Sequence, residues 1–275
     1  MSVRPNAQRT QDLMLPTPSA APHDSRSARS TATRSKLIAI AERLFAQRGI
    51  EGVSLNDINK AAGQRNKNAT HYHFGNKDGL LQAILEKHQP QISARCNQLL
   101  DAMQAQGEAT LAQVVHAMTQ PLIEKLFDAD GGRHFLRFNA HFVLRYTMAA
   151  IEPQIGGVAM PAGNFGGNDR LTGLLLDVVP HLPAALLYQR GILAASLLLH
   201  GLAEHSRVLD SIDDADQAAQ LTALFAANLQ DCLIALLSAP ASAQTQTLAL
   251  AAAQVRTTAS ATKRKPRAPR QPAAG

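Results

Sequence analysis

Leu37, Ile40, Ala41, Leu44 and Phe45 recur at i, i+3, i+4, i+7 and i+8, the spacing of a single helix face. The same period returns in segment after segment as far as Ser238, and no alternating run makes a convincing strand. The residue supply agrees. Aromatics are 4% of the 275 residues, Trp is absent and Ala and Leu dominate, whereas sheets draw on β-branched and aromatic side chains. The expectation is an all-α fold of about nine helices.

Punctuation sets the boundaries. The spacing predicts helices over about 34–48, 55–62, 67–74, 77–104, 109–128, 132–149, 168–179, 183–209 and 214–238. Gly49 and Gly63 stop the first two, Ser54 with Asp57 three residues on reads as a capping box, and Asn76 caps the fourth. Pro, Gly and Asn throughout 153–168 predict a long loop. Residues 1–33, rich in Pro, Ser, Thr, Ala and Arg, are expected to be a disordered basic arm. Residues 240–275 are expected to be a low-complexity basic tail, weakly helical over 244–255.

Charge narrows the function. Residues 34–78 hold eight Lys/Arg against four Asp/Glu, and residues 79–239 hold nine against fifteen. The final 36 residues hold six cations and no acid. A basic head on an acidic body, with basic ends, is the footprint of a nucleic-acid contact confined to the head and tails. Two cysteines, Cys96 and Cys232, cannot build a disulfide framework and suit a reducing compartment, so a cytoplasmic location is expected. No secretory h-region stands at the start, and no membrane span is expected, because the apolar stretches are short or broken by Pro240.

The two short helices after Gly49 are joined by a turn at Gly63, a helix-turn-helix pattern whose last helix enters the major groove. The turn and that helix are dense in hydrogen-bonding side chains: Gln64, Arg65, Asn66, Lys67, Asn68, Thr70, His71, Tyr72 and His73. Arg and Lys pair with phosphate or guanine, Asn and Gln with adenine. The order Leu44-Phe45-Ala46-Gln47-Arg48-Gly49, Ser54-Leu55-Asn56-Asp57-Ile58, Ala62-Gly63 and His71-Tyr72-His73-Phe74-Gly75-Asn76-Lys77-Asp78-Gly79-Leu80 resembles the DNA-binding head of the TetR family of bacterial transcription regulators. The resemblance covers 34–81, less than a fifth of the chain.

It implies a three-helix head over 34–80 and a helical effector-binding and dimerisation body over 81–239. It also implies roles. Ser54 and Lys77 hold phosphates at two helix starts, Arg65, Asn66, Lys67 and Asn68 address base edges, and His71 and Tyr72 contact backbone or thymine. Arg34 and Lys36 grip a flanking phosphate. Two departures stand out. Gly63 to Phe74 is one residue longer than the common spacing, which blurs the base-reading positions, and His71 replaces the usual phosphate-contacting Tyr. His71-x-His73 also raises metal binding, but the pair falls in a helix ahead of a core Phe, and no metal is expected.

For the body, the resemblance implies a small-molecule effector, with His116, Arg137, His141, Arg145 and His200 as candidate polar groups within apolar helices; Asn139 is another such polar residue. Each can equally be a surface or internally bonded residue. The last two long helices resemble the family's two-fold interface, with Leu193, Leu197, Gly201, Phe225, Leu229 and Leu233 on their apolar faces; the same faces can also bury within one chain. The function implied is a homodimeric regulator of a pseudo-palindromic operator, by default a repressor released by its ligand, with the fourth helix as the pivot. No cofactor is expected. A structural, nucleoid-type DNA-binding protein without an effector is the alternative. An all-helical enzyme fits less well, since the sequence carries no Gly-rich dinucleotide loop, Walker loop, His-Glu-x-x-His or Gly-x-Ser-x-Gly.

Overall fold

The structure is a computed structural model that describes residues 22–151, 169–179 and 182–251. It is all-helical among these residues. The elements are α1 (Pro22–Arg48), α2 (Leu55–Ala61), α3 (Ala69–Phe74), α4 (Lys77–Gln104), α5 (Leu111–Glu124), a 3-10 turn (Lys125–Phe127), α6 (Gly132–Ile151), α7 (Asp169–Val178), α8 (Ala184–Leu209) and α9 (Ala215–Ser238). Residues 243–251 form a further helical stretch. The expected loop at 153–168 and the cationic end of the tail lie outside the described residues.

Most boundaries fall where the punctuation put them. Ser54 Oγ accepts from the Asp57 N–H at 3.1 Å while the Asp57 carboxylate accepts from the Ser54 N–H at 3.0 Å, completing the capping box of α2. Thr110 and Gln113 build the same box at α5, and the Asn76 side chain accepts from the Gly79 N–H at 2.8 Å to start α4. Inside α4, Pro90 has no N–H, so the Glu86 carbonyl loses its helical partner.

The largest difference is at α1; α5 also ends at Glu124, and the 3-10 turn takes up 125–127 of the expected 109–128. The first helix starts at Pro22, twelve residues before the expected start, so the second part of the expected disordered arm is helical. Pro at the first helical position costs no hydrogen bond, and no Gly or Pro interrupts the chain from there to Arg48. The apolar period missed this extension because the extension has no apolar face to display.

The first three helices and those that follow share one hydrophobic core. Leu37, Ala41 and Phe45 of α1, Ile58 of α2 and Leu80, Leu81 and Ile84 of α4 join Phe135, Phe138 and Phe142 of α6 and Leu198 and Leu202 of α8 in a single cluster. The Phe45 ring lies 6.2 Å from Phe138, and Phe138 lies 5.6 Å from Phe142, so an aromatic row runs from the head into α6. A smaller cluster of Cys96, Leu100, Met103, Val114 and Ala117 seats α4 on α5.

By length and composition α9 could cross a bilayer, with a mean hydropathy of 1.5 over its most apolar window. Leu229, Leu233 and Leu237 of this helix are buried in the chain's own core, and Asp216 and Asp231 also lie on it.

Candidate nucleic-acid interface

The turn between α2 and α3 is held from below by a residue that sequence reasoning missed. Asn59 is buried on α2. Its amide nitrogen donates to the Lys67 carbonyl at 2.6 Å and to Thr70 Oγ1 at 3.0 Å, while its Oδ1 accepts from the Thr70 N–H at 3.1 Å. One side chain thus ties α2 to both ends of the approach to α3. The signal was an amide at a position where the helix face calls for an apolar residue.

The turn itself uses Gly63 at φ +64, a conformation L side chains rarely adopt. Asn66 Oδ1 then accepts from the Asn68 N–H at 2.9 Å. This local bonding delays the helix, so α3 starts at Ala69, later than the expected 67. Arg65, Asn66, Lys67 and Asn68 therefore stand in the turn and at the helix cap, all exposed.

On α3, Ala69 and Thr70 face inward, while His71 and Tyr72 face out. Tyr72 is 79% exposed, an unusual state for a large aromatic unless something stacks on it or its hydroxyl is used. Its ring meets His73 edge-on at 5.1 Å. His71 and His73 belong to no group of three or more metal-ligating side chains among the described residues.

The flanking cations are braced. Lys77 is 3.8 Å from Glu51 and lies 5.9 Å from the centre of the Phe45 ring. The Arg34 guanidinium sits over the Phe74 ring at 5.4 Å and 3.8 Å from Glu86. Lys36 is exposed. Ser54 is exposed too, but its hydroxyl donates to Asp57 at 2.6 Å, and the Ser54 hydrogen bonds hold the Asp57 carboxyl below its ordinary range. An ionised carboxylate therefore sits beside the N–H groups where a phosphate was expected.

The described candidate effector side chains do not gather at one place, although His141 and His200 lie near enough to interact. Arg137 is engaged inside the chain: its Nε donates to Ser206 Oγ at 2.8 Å and its terminal nitrogen to the Ser206 carbonyl at 2.9 Å and to Asp210. His116 is exposed on α5, with Nδ1 3.4 Å from the Gln230 amide of α9. His141 is half-buried beside Gly49, and burial, then Arg207 and His200, hold its pKa below the usual value. His200 is exposed on α8. The Arg145 side chain lies outside the described ones. Asn139 is buried on α6 with its Oδ1 unpaired.

The six candidate interface residues divide. Leu193 and Leu197 are exposed on α8. Gly201, Phe225 and Leu229 meet between α8 and α9 of the same chain, and Leu233 is buried in its core. A Cβ on Gly201 would stand 3.6 Å from the Phe225 ring and 3.7 Å from Leu229. The exposed apolar row continues past Leu197 to Val208, then to Leu221 and Leu224 on α9. There a groove of about 390 Å³ is lined by His205, Val208, Leu221, Leu224, Phe225 and Asn228.

Residues 37–84 match the family described as bacterial regulatory proteins, tetR family. No curated protein matches the chain. Three solved structures show loose likenesses. One, described as the molecular basis for control of antibiotic production by a bacterial hormone, is 22% identical, with 74% of this chain and 95% of that one covered, at a TM-score of 0.39. A Rhodococcus sp. protein assigned to the TetR-family transcriptional regulators is 16% identical, with 76% and 100% covered, at 0.36. A TetR-family transcriptional regulator from Pectobacterium atrosepticum is 23% identical, with 78% and 98% covered, at 0.30.

Proposed function

We propose that this chain, whose residues 37–84 match the family described as bacterial regulatory proteins, tetR family, is a DNA-binding transcriptional regulator and acts as a homodimeric repressor that leaves its operator when a small molecule binds the body. The observation that carries the DNA reading is the exposed set from Arg65 to Asn68 with His71 and Tyr72, fixed in place by the buried Asn59 clamp. A rigid support beneath adaptable polar side chains is what base and phosphate recognition requires. Arg34, Lys36 and Lys77 grip phosphates at the rim, and the Ser54 N-terminus contributes less, because Asp57 already occupies it.

The exposed row Leu193, Leu197, Val208, Leu221 and Leu224 supports the dimer, since an apolar stripe of this kind is rarely left to water. Two heads on one pseudo-palindromic duplex raise affinity through effective concentration. The shared core supports coupling. Any ligand that shifts α6 or α4 moves side chains that also pack against α1. The residues 34–80 read as the head and 81–239 as the body, acting in the bacterial cytoplasm without enzymatic turnover.

Selection of sites from random duplex DNA tests this reading. The expected result is a two-fold-symmetric motif whose selection is lost when Lys67 and Asn68 are changed to Ala together. Binding without any motif, undisturbed by those changes, sinks the operator reading and leaves a nucleoid-type role.

A further inference from the structure

The extension of α1 contributes no described side chain to the hydrophobic core. Among the described side chains the first buried one is Leu37, yet the helix begins at Pro22. Residues 27–32 are all exposed. Ala is the largest apolar residue after Pro22 until Leu37, and the stretch is otherwise Ser, Thr, Arg and Lys with one His and one acid, Asp24. A polar helix without a packed face is marginal in water on its own. Thr31 even turns its hydroxyl back onto the Ser27 carbonyl at 3.1 Å.

Its direction is fixed at the other end. Leu37, Ala41, Leu44 and Phe45 lock α1 into the core, and Arg34 lies over Phe74, the last residue of α3. The helix is continuous through this point. The extension therefore leaves the head at the corner where α3 ends and projects beyond it by about 18 Å from Arg34 to Pro22, at ~1.5 Å per residue. Arg26 and Arg29 lie one turn apart on it, with Arg34 and Lys36 following. Only Asp24 offsets four cations in this stretch.

We propose that this helical extension is a second DNA contact, which grips backbone phosphates flanking the half-site that α3 and its turn address. Cationic and hydroxyl side chains on a rigid rod match a phosphate row and carry no base code. The rod has no apolar side chain to insert into lipid, and it starts beside the surface that faces DNA in the proposed function, on which this inference rests. Its length is close to the rise of about five base pairs at ~3.4 Å each.

The test compares the full chain with its R26A/R29A variant on the operator recovered by selection. Ala keeps an exposed helix intact, so the charges alone change; unchanged helicity by circular dichroism checks this. The expected result is the same selected sequence, weaker binding, and a salt dependence shallower by about 0.9 for each phosphate the variant no longer neutralises. Trimming about five flanking base pairs from each end of the operator should erase the difference between the two proteins. Equal affinity and equal salt slopes on the long operator overturn the extension contact while leaving the operator reading intact. If the unaltered chain selects no site, the operator reading fails instead. The extension is then judged on a random-sequence duplex, where equal salt slopes overturn it and a shallower slope for R26A/R29A supports it.

Discussion

Glu42 of α1 and His88 of α4 meet in the core, 3.2 Å apart between carboxylate Oε2 and imidazole Nε2, with both side chains almost wholly buried. Lys87 closes on the same carboxylate at 3.2 Å and reaches the Asp130 carbonyl at 2.7 Å. His88 stacks on Phe135 of α6 at 4.2 Å. One buried acid thus binds the head helix to α4 and to the start of α6. Removing one partner of such a cluster leaves the others uncompensated. E42A should therefore lower stability by about 3–5 kcal/mol in denaturant melts, more than trimming an exposed pair such as Arg34–Glu86.

Gly131 stands against the same group. Its φ is +85, and a Cβ there would fall 2.3 Å from Glu42 Oε1. G131A strains the backbone and displaces the carboxylate together. A melting temperature several degrees lower is expected, at roughly 1–3 kcal/mol. An unchanged melt would show that the cluster tolerates displacement.

Asn59 predicts a separable defect. N59L keeps the size but leaves the Lys67 carbonyl and Thr70 groups without their partner, at a cost of about 1–3 kcal/mol. The turn and α3 should loosen while the body stays folded. Operator affinity should then fall much further than stability, as read by a binding titration alongside circular dichroism.

Acid should weaken the fold. Burial holds the imidazoles of His134, His141 and His205 below their ordinary pKa. The unfolded chain therefore takes up protons first. The stabilising contribution is complete above about pH 6.5 and is lost as pH falls below it. His205, stacked on Phe225 at 4.2 Å and bonded to Thr222 at 3.0 Å, makes the α8–α9 seam part of this response. Asp210 acts lower on the scale. Burial raises its pKa, but hydrogen bonds from Arg137 and Arg133 outweigh that and hold it down, so its contribution is lost only as pH falls below about 4. Melts at pH 7.5 and 5.5 should differ, and H205Q should shrink the difference.

The outer face of α8 and α9 tests assembly. L197E and L224E place charge on the exposed row without touching the buried seam. Sedimentation should show dimers for the unaltered chain and monomers for the double variant, with unchanged helicity. Persisting dimers would place the contact elsewhere.

The sequence by itself determined the helices. Helix period, Gly stops and side-chain caps are local, so the starts of α2 and α4 and the limits of α8 and α9 were legible from residues a few positions apart. The head was legible for the same reason: its donors follow one another along a short stretch. Tertiary structure alone decided which residues meet across long separations. It put Glu42 on His88, set Arg137 against Ser206 and Asp210, and packed Gly201 against Phe225 and Leu229 while leaving Leu193 and Leu197 exposed. A helix period states that a face is apolar, but not what covers it. The cover depends on how the helices cross, and that is settled only when the whole core packs at once.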